Sequence, residues 1–173
     1  MNYPEGHYVT RDVFVGGRSK ASLLAQLTAA GIELNEAARI LFTSDQFTTS
    51  TIEQRLHTVE LQVCHLNFPR GATTPEVHAR AVTLGLSLAP LELGPCLRLQ
   101  YLDQPEGHWG HPRTKHRTPP GAIAVASAPV SEDDTFPKGF YLRRIKGTLW
   151  LRGYWADAAH VLAPEDHLIF CQP

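Results

Sequence analysis

The sequence predicts an α+β fold: a largely antiparallel sheet, with an N-terminal helical hairpin and one further helix on one of its faces. Three observations carry this expectation. Helical spacing of apolar residues falls in the first half of the chain, and period-two alternation recurs in the second. Between Phe140 and Tyr154 two alternating runs flank Lys146-Gly147, where glycine suits a two-residue hairpin turn. Early helices followed by runs of strands favour an antiparallel sheet with helices packed on it.

The elements follow in order. Asp12 to Val15 reads as a short strand stopped by Gly16-Gly17. Ser19 stands where its hydroxyl can accept the free N–H groups of a first helical turn. Leu23, Leu24, Leu27 and Ala30 then recur at helical spacing, and Gly31 ends the helix. Asn35 caps a second helix over 36–42, with Ala37, Ile40 and Leu41 inward and Glu36 placed to suit the helix dipole. The short link 31–35 folds the two helices into a hairpin. A Ser/Thr loop leads to a strand over 57–68, with Val59, Leu61 and Val63 opposed to Glu60, Gln62 and Cys64. After Pro69-Arg70-Gly71, Thr73 or Thr74 caps a helix with Pro75 near its start and Glu76 in its first turn. Val77, Ala81, Val82 and Leu84 form its inner stripe, and Gly85 stops it.

Residues 86–95 read as extended and irregular. Leu97, Leu99 and Tyr101 alternate with Arg98 and Gln100 as a half-exposed strand. Residues 103–121 hold four prolines and three glycines and read as a long mobile loop. Residues 122–128 form an apolar strand, Ser131 to Asp134 a turn, and His167 to Cys171 a last strand. In the hairpin, Tyr141 faces Arg152, Leu142 faces Leu151, Arg143 faces Trp150 and Ile145 faces Thr148. Phe140, Leu142, Leu149 and Leu151 then share the core face, and Tyr141, Arg143, Trp150 and Arg152 the other. A partly wet sheet face is expected to carry Glu60, Gln62, Arg98, Gln100, Arg143 and Arg152. The helix ends at 29–35 and 83–89 echo one another as Gly-apolar-x-Leu exits.

Bulk properties bound the function. A chain of 173 residues suits one domain over 1–173, able to bury about 70% of its unfolded surface. Sixteen Lys and Arg against 17 Asp and Glu leave a net charge of −1, unsuited to gripping nucleic acid or anionic lipid with the whole surface. No apolar run is long enough for a membrane span, and the first residues lack the basic and apolar regions of a signal peptide. Cys64, Cys96 and Cys171 are odd in number and widely spaced, which points to reduced thiols and a cytoplasmic protein.

Five constellations bear on chemistry. The aromatic and basic hairpin face is the strongest: Tyr141, Arg143, Trp150 and Arg152 pair flat rings with guanidinium groups, with Arg98 and Gln100 as neighbours. Such pairs, worth about 0.5–1 kcal/mol each when exposed, can brace a sheet or hold a flat ligand. Arg18, Ser19 and Lys20, after Gly16-Gly17, form a weak anion-site candidate at a helix start. His108, His111 and His116 could ligate a metal, yet Arg113, Lys115 and Arg117 beside them repel a cation. Glu132, Asp133 and Asp134 read as a hydrated turn. The hairpin at 19–42 has the outline of a helix-turn-helix, but Arg39 is the one cation on its second helix, too little to read DNA. No Gly-x-Ser-x-Gly or P-loop spacing is present, so no catalytic residue and no cofactor is expected.

The strings Leu97-Arg98-Leu99-Gln100-Tyr101-Leu102-Asp103-Gln104-Pro105 and Phe136-Pro137-Lys138-Gly139-Phe140-Tyr141-Leu142-Arg143, with Gly31-Ile32-Glu33-Leu34-Asn35, resemble an uncharacterised bacterial family of small proteins. Its members are sometimes labelled helicases, although this chain has neither Walker motif. The resemblance implies a small, self-contained bacterial protein and transfers no catalytic residue. The expected function is therefore a non-enzymatic binding or adaptor protein for an unknown protein or small ligand. Weak binding of single-stranded nucleic acid or a nucleotide is the first alternative. A small metal-dependent hydrolase using the histidines is the second.

Overall fold

The computed structural model describes residues 8–107 and 118–173. Its elements run β1 (Val9–Val15), α1 (Lys20–Ala29), β2 (Glu33–Leu34), α2 (Glu36–Thr43), β3 (Gln54–Gln62), a 3-10 turn (Val63–Leu66), β4 (Ala72–Thr73), α3 (Thr74–Thr83), α4 (Leu93–Gln100), β5 (Ile123–Val125), β6 (Gly139–Ile145), β7 (Thr148–Tyr154), β8 (Val161–Leu162) and β9 (His167–Cys171). Seven strands form a mixed, mostly antiparallel sheet in the order β1-β3-β9-β5-β6-β7-β2. β4 and β8 make a separate two-stranded ribbon. The fold is α+β, as expected. No helix among the described residues is long and apolar enough to cross a membrane.

Local chemistry sets the helix ends. Ser19 Oγ accepts the Ser22 N–H at 3.2 Å, and Asn35 Oδ1 accepts the Ala38 N–H at 3.0 Å. At α3 the Glu76 carboxylate takes both the Thr73 N–H (2.8 Å) and its hydroxyl (2.6 Å). The two echoing Gly-apolar exits form the same closure. Gly31 and Gly85 adopt positive φ, and the next residue donates back into the helix, Ile32 to Leu27 O and Leu86 to Ala81 O. Ile32 and Leu86 are buried as a result, so each exit also anchors the chain to the core.

Both faces of the sheet are covered, which corrects the expectation of helices on one face and a wet face opposite. α1, α2 and α4 pack on one side over Val13, Val15, Phe140, Leu142, Leu151 and Ile169. Phe42, Phe47 and Phe140 meet there with ring centroids 5.4–5.8 Å apart. On the other side α3 and the ribbon cover Val59, Leu61, Leu168 and Phe170.

Other expectations are corrected. The first two helices do not form a simple hairpin. Glu33 and Leu34 between them pair in parallel with Trp150 and Leu151, so the link is a strand of the sheet. α1 leans on α4, and α2 on β7. A fourth helix, α4, replaces the strand expected at 97–101. It is buried almost all round, from Leu93 to Arg98, so no polar stripe reveals its period. Pro95 lies in its first turn, where a missing N–H costs nothing. The strand expected to reach residue 68 ends at Gln62, because Val63 and Leu66 turn inward together and Asn67 takes a left-handed conformation. The mobile loop expected at 103–121 falls largely outside the described residues, though Gln104 within it is buried.

Candidate functional site

β6 and β7 pair in the register that their alternation predicts, Tyr141 with Arg152, Leu142 with Leu151 and Arg143 with Trp150. Lys146 and Gly147 both have positive φ, 52° and 76°, in a two-residue turn whose twist matches that of the strands. Phe140, Leu142 and Leu151 enter the core with α1, α2 and α4. By alternation Tyr141, Arg143, Trp150 and Arg152 lie on the opposite face.

On that face a cavity of about 510 Å³ lies between the hairpin and the layer of α3 and the ribbon. Ala124 and Leu168 contribute from the sheet, Thr74 and Leu162 from the covering layer, and Tyr141, Arg143, Arg152 and Tyr154 from the hairpin. Asn35, Trp155 and His160 complete its polar and aromatic lining. Among the described lining residues two are guanidinium groups and none is a carboxylate.

The positions of these groups are set by their neighbours. Arg152 Nε donates to the Tyr141 hydroxyl oxygen at 2.8 Å. Its guanidinium lies 5.0 Å from the Trp150 ring centroid and 6.0 Å from that of Tyr141. Arg143 is 5% exposed, and burial, with the like charge of Arg152 added, holds its guanidinium below its ordinary value. Burial pushes the Tyr154 phenol up to about 12, so it stays a neutral donor. Trp155, nearly half exposed, is tethered by its indole N–H to Thr135 O at 3.2 Å.

Arg98 and Gln100 are not part of this face, which corrects their expected place beside the hairpin. Both ride on α4, on the far side of the sheet. Arg98 is fully buried and donates to Gln104 Oε1 at 2.5 Å and to Tyr101 O. Gln100 brackets the backbone of Phe14, accepting its N–H at 3.0 Å and donating to its carbonyl at 2.8 Å. It occupies the edge of β1 as a strand partner would.

The weak anion candidate is also taken up internally. Ser19 caps α1, Arg18 reaches Phe14 O, Gln26 and Cys96, and Lys20 donates to Ser44 O at 2.6 Å. His108, His111 and His116 lie outside the described residues. Among the described residues no group of three or more His, Cys, Asp or Glu side chains could hold a metal ion. Asp133 closes its own turn by accepting from the N–H and hydroxyl of Thr135, both at 2.8 Å.

Tyr154 was missed as a site residue, although it continues the alternation of Trp150 and Arg152. Thr74, His160 and Leu162 carry no such signal. Leu162 arrives through a two-residue ribbon strand, His160 just before it and Thr74 at a helix start, where no period can show.

A second cavity, of about 280 Å³, borders Arg11, Glu60, His167 and Tyr101 at the rim of the other face. Glu60 accepts from Arg11 at 2.8 Å and pairs with His167 Nδ1 at 2.7 Å, and His167 Nε2 lies 3.0 Å from Gln62 Nε2. This network closes on itself.

Comparison of the chain with protein-family models, curated proteins and solved structures gives no match.

Proposed function

We propose that this protein is a non-enzymatic binding module whose ligand is a small anion seated in the cavity between the hairpin and the α3 layer. The single observation that supports this reading is the convergence of Arg143, Arg152 and Tyr141 on one concave site of about 510 Å³. That volume lies within the range of small-molecule pockets, about 300–1,000 Å³. Two guanidinium groups and no carboxylate among its described lining residues give the site an attraction for an anion. Concavity favours a small ligand over the flat surface of a protein partner, and a mononucleotide over a continuous strand. Three free thiols suit a reducing cytoplasm.

The reading is tested by thermal unfolding at low ionic strength with phosphate, carboxylate and nucleotide ions, each against a neutral analogue of similar size. Anions are expected to raise the melting temperature of the wild type. At a hundredfold excess over Kd the gain is about 2.7 kcal/mol. Arg152→Gln is expected to remove the gain. A wild type that no anion stabilises would rule the reading out.

A further inference from the structure

We infer that the ligand of this cavity is a flat ring joined to a phosphate or carboxylate, an inference that rests on the cavity being an anion site. The anion end is defined by hydrogen-bond directions. Tyr141 accepts from Arg152 Nε, so its own hydroxyl proton is directed to another acceptor. Among the described residues no other hydrogen bond engages the Arg152 guanidinium, which leaves its Nη groups to a ligand. Trp150 and Tyr141 hold that guanidinium in place, so little ordering is needed when an oxyanion arrives. Arg143, a buried residue that also lines the cavity, adds a second positive charge beside it. Together they provide a fork and a hydroxyl suited to the two oxygens of a carboxylate or phosphate.

The ring end is defined by volume and by Trp155. A bare inorganic anion fills a small part of about 510 Å³. The remainder is bounded by Ala124, Leu162 and Leu168, whose side chains are apolar, and by the Trp155 indole, held by Thr135 yet half open. A tethered, accessible indole at the wall of the cavity is a stacking platform.

Isothermal titration at low salt tests this with AMP, ribose 5-phosphate, indole-3-carboxylate and acetate. AMP over ribose 5-phosphate, or indole-3-carboxylate over acetate, is expected to bind about tenfold tighter. Whichever aromatic ligand binds identifies the head group as phosphate or carboxylate. Trp155→Ala should erase that preference while sparing the ring-free ion, and Trp155→Phe should restore it. Equal binding of ring-bearing and ring-free ions in the wild type would overturn the inference and leave the anion site standing. Absence of binding by all four would overturn both.

Discussion

Asn35 and Gly153 lie 118 positions apart and exchange two hydrogen bonds, Asn35 Nδ2 to Gly153 O at 2.9 Å and Gly153 N–H to Asn35 Oδ1 at 2.8 Å. The same Oδ1 caps α2 through Ala38. One amide thus starts a helix and extends the ladder of β7 at the cavity wall. Asn35→Ala is expected to cost about 2–3 kcal/mol, the loss of a cap plus two buried partners. Asn35→Asp keeps the cap of α2 but sets a carboxylate oxygen against Gly153 O, so it should also destabilise. A Cβ on Gly153 would stand 2.6 Å from the Ala37 carbonyl carbon, so Gly153→Ala should destabilise by about 1–3 kcal/mol. Denaturant unfolding of the three variants gives the order.

Arg98 organises a buried polar knot rather than a ligand site. It fixes Gln104, whose Nε2 donates to Gly121 O at 3.0 Å and Leu142 O at 3.3 Å. Arg98→Met should destabilise by about 3 kcal/mol, because Gln104 Oε1 is left buried without a donor. Anion affinity at saturation of the folded form should be unchanged, which calorimetry on Arg98→Met and the wild type would compare.

Acid should weaken the sheet through Glu60. Burial alone would raise its pKa, but hydrogen bonds from His167 and Arg11 outweigh that and hold it below the ordinary value. A depressed folded pKa means stability that is present above the ordinary carboxylate range and lost as pH falls through it. Unfolding free energy measured from neutral pH down to about pH 3 should therefore fall, and Glu60→Gln should flatten that decline.

Alkali should act through buried acids. Burial pushes Cys96 and Cys171 up to about 11, and Tyr154 up to about 12. Raised folded values mean stability that is intact below the unfolded pKa values and lost as pH climbs toward 11–12. At neutral pH a thiol reagent should modify the partly exposed Cys64 first and reach Cys96 and Cys171 after denaturation. Mass spectrometry of labelled protein distinguishes these orders.

Lys146 holds φ at 52°, a conformation that asparagine tolerates better than lysine. Lys146→Asn should stabilise by about 0.5 kcal/mol, with the register of Tyr141 and Arg152 intact. Chemical denaturation measures the gain, and a loss of stability would show that the turn is restrained by contacts other than its own dihedrals.

The hairpin was legible because its two strands alternate, meet at Gly147 and report their own pairing. Caps at Ser19 and Asn35 were legible for the same local reason, and that of α3 as Thr73 or Thr74, of which the structure uses Thr73, since each bonds within three residues. α4 was not, because a helix buried on every side loses the polar stripe that marks a helical period. The placement of Arg98 and Gln100 failed with it. Of the cavity, the sequence determined the wall of Tyr141, Arg143 and Arg152. Only the tertiary structure decided that Thr74, His160 and Leu162 close the other side, because parallel pairing of β9 with β5 and the β4–β8 contact join segments far apart in the chain. Long-range pairings are selected by burial of whole faces, and no local pattern encodes them.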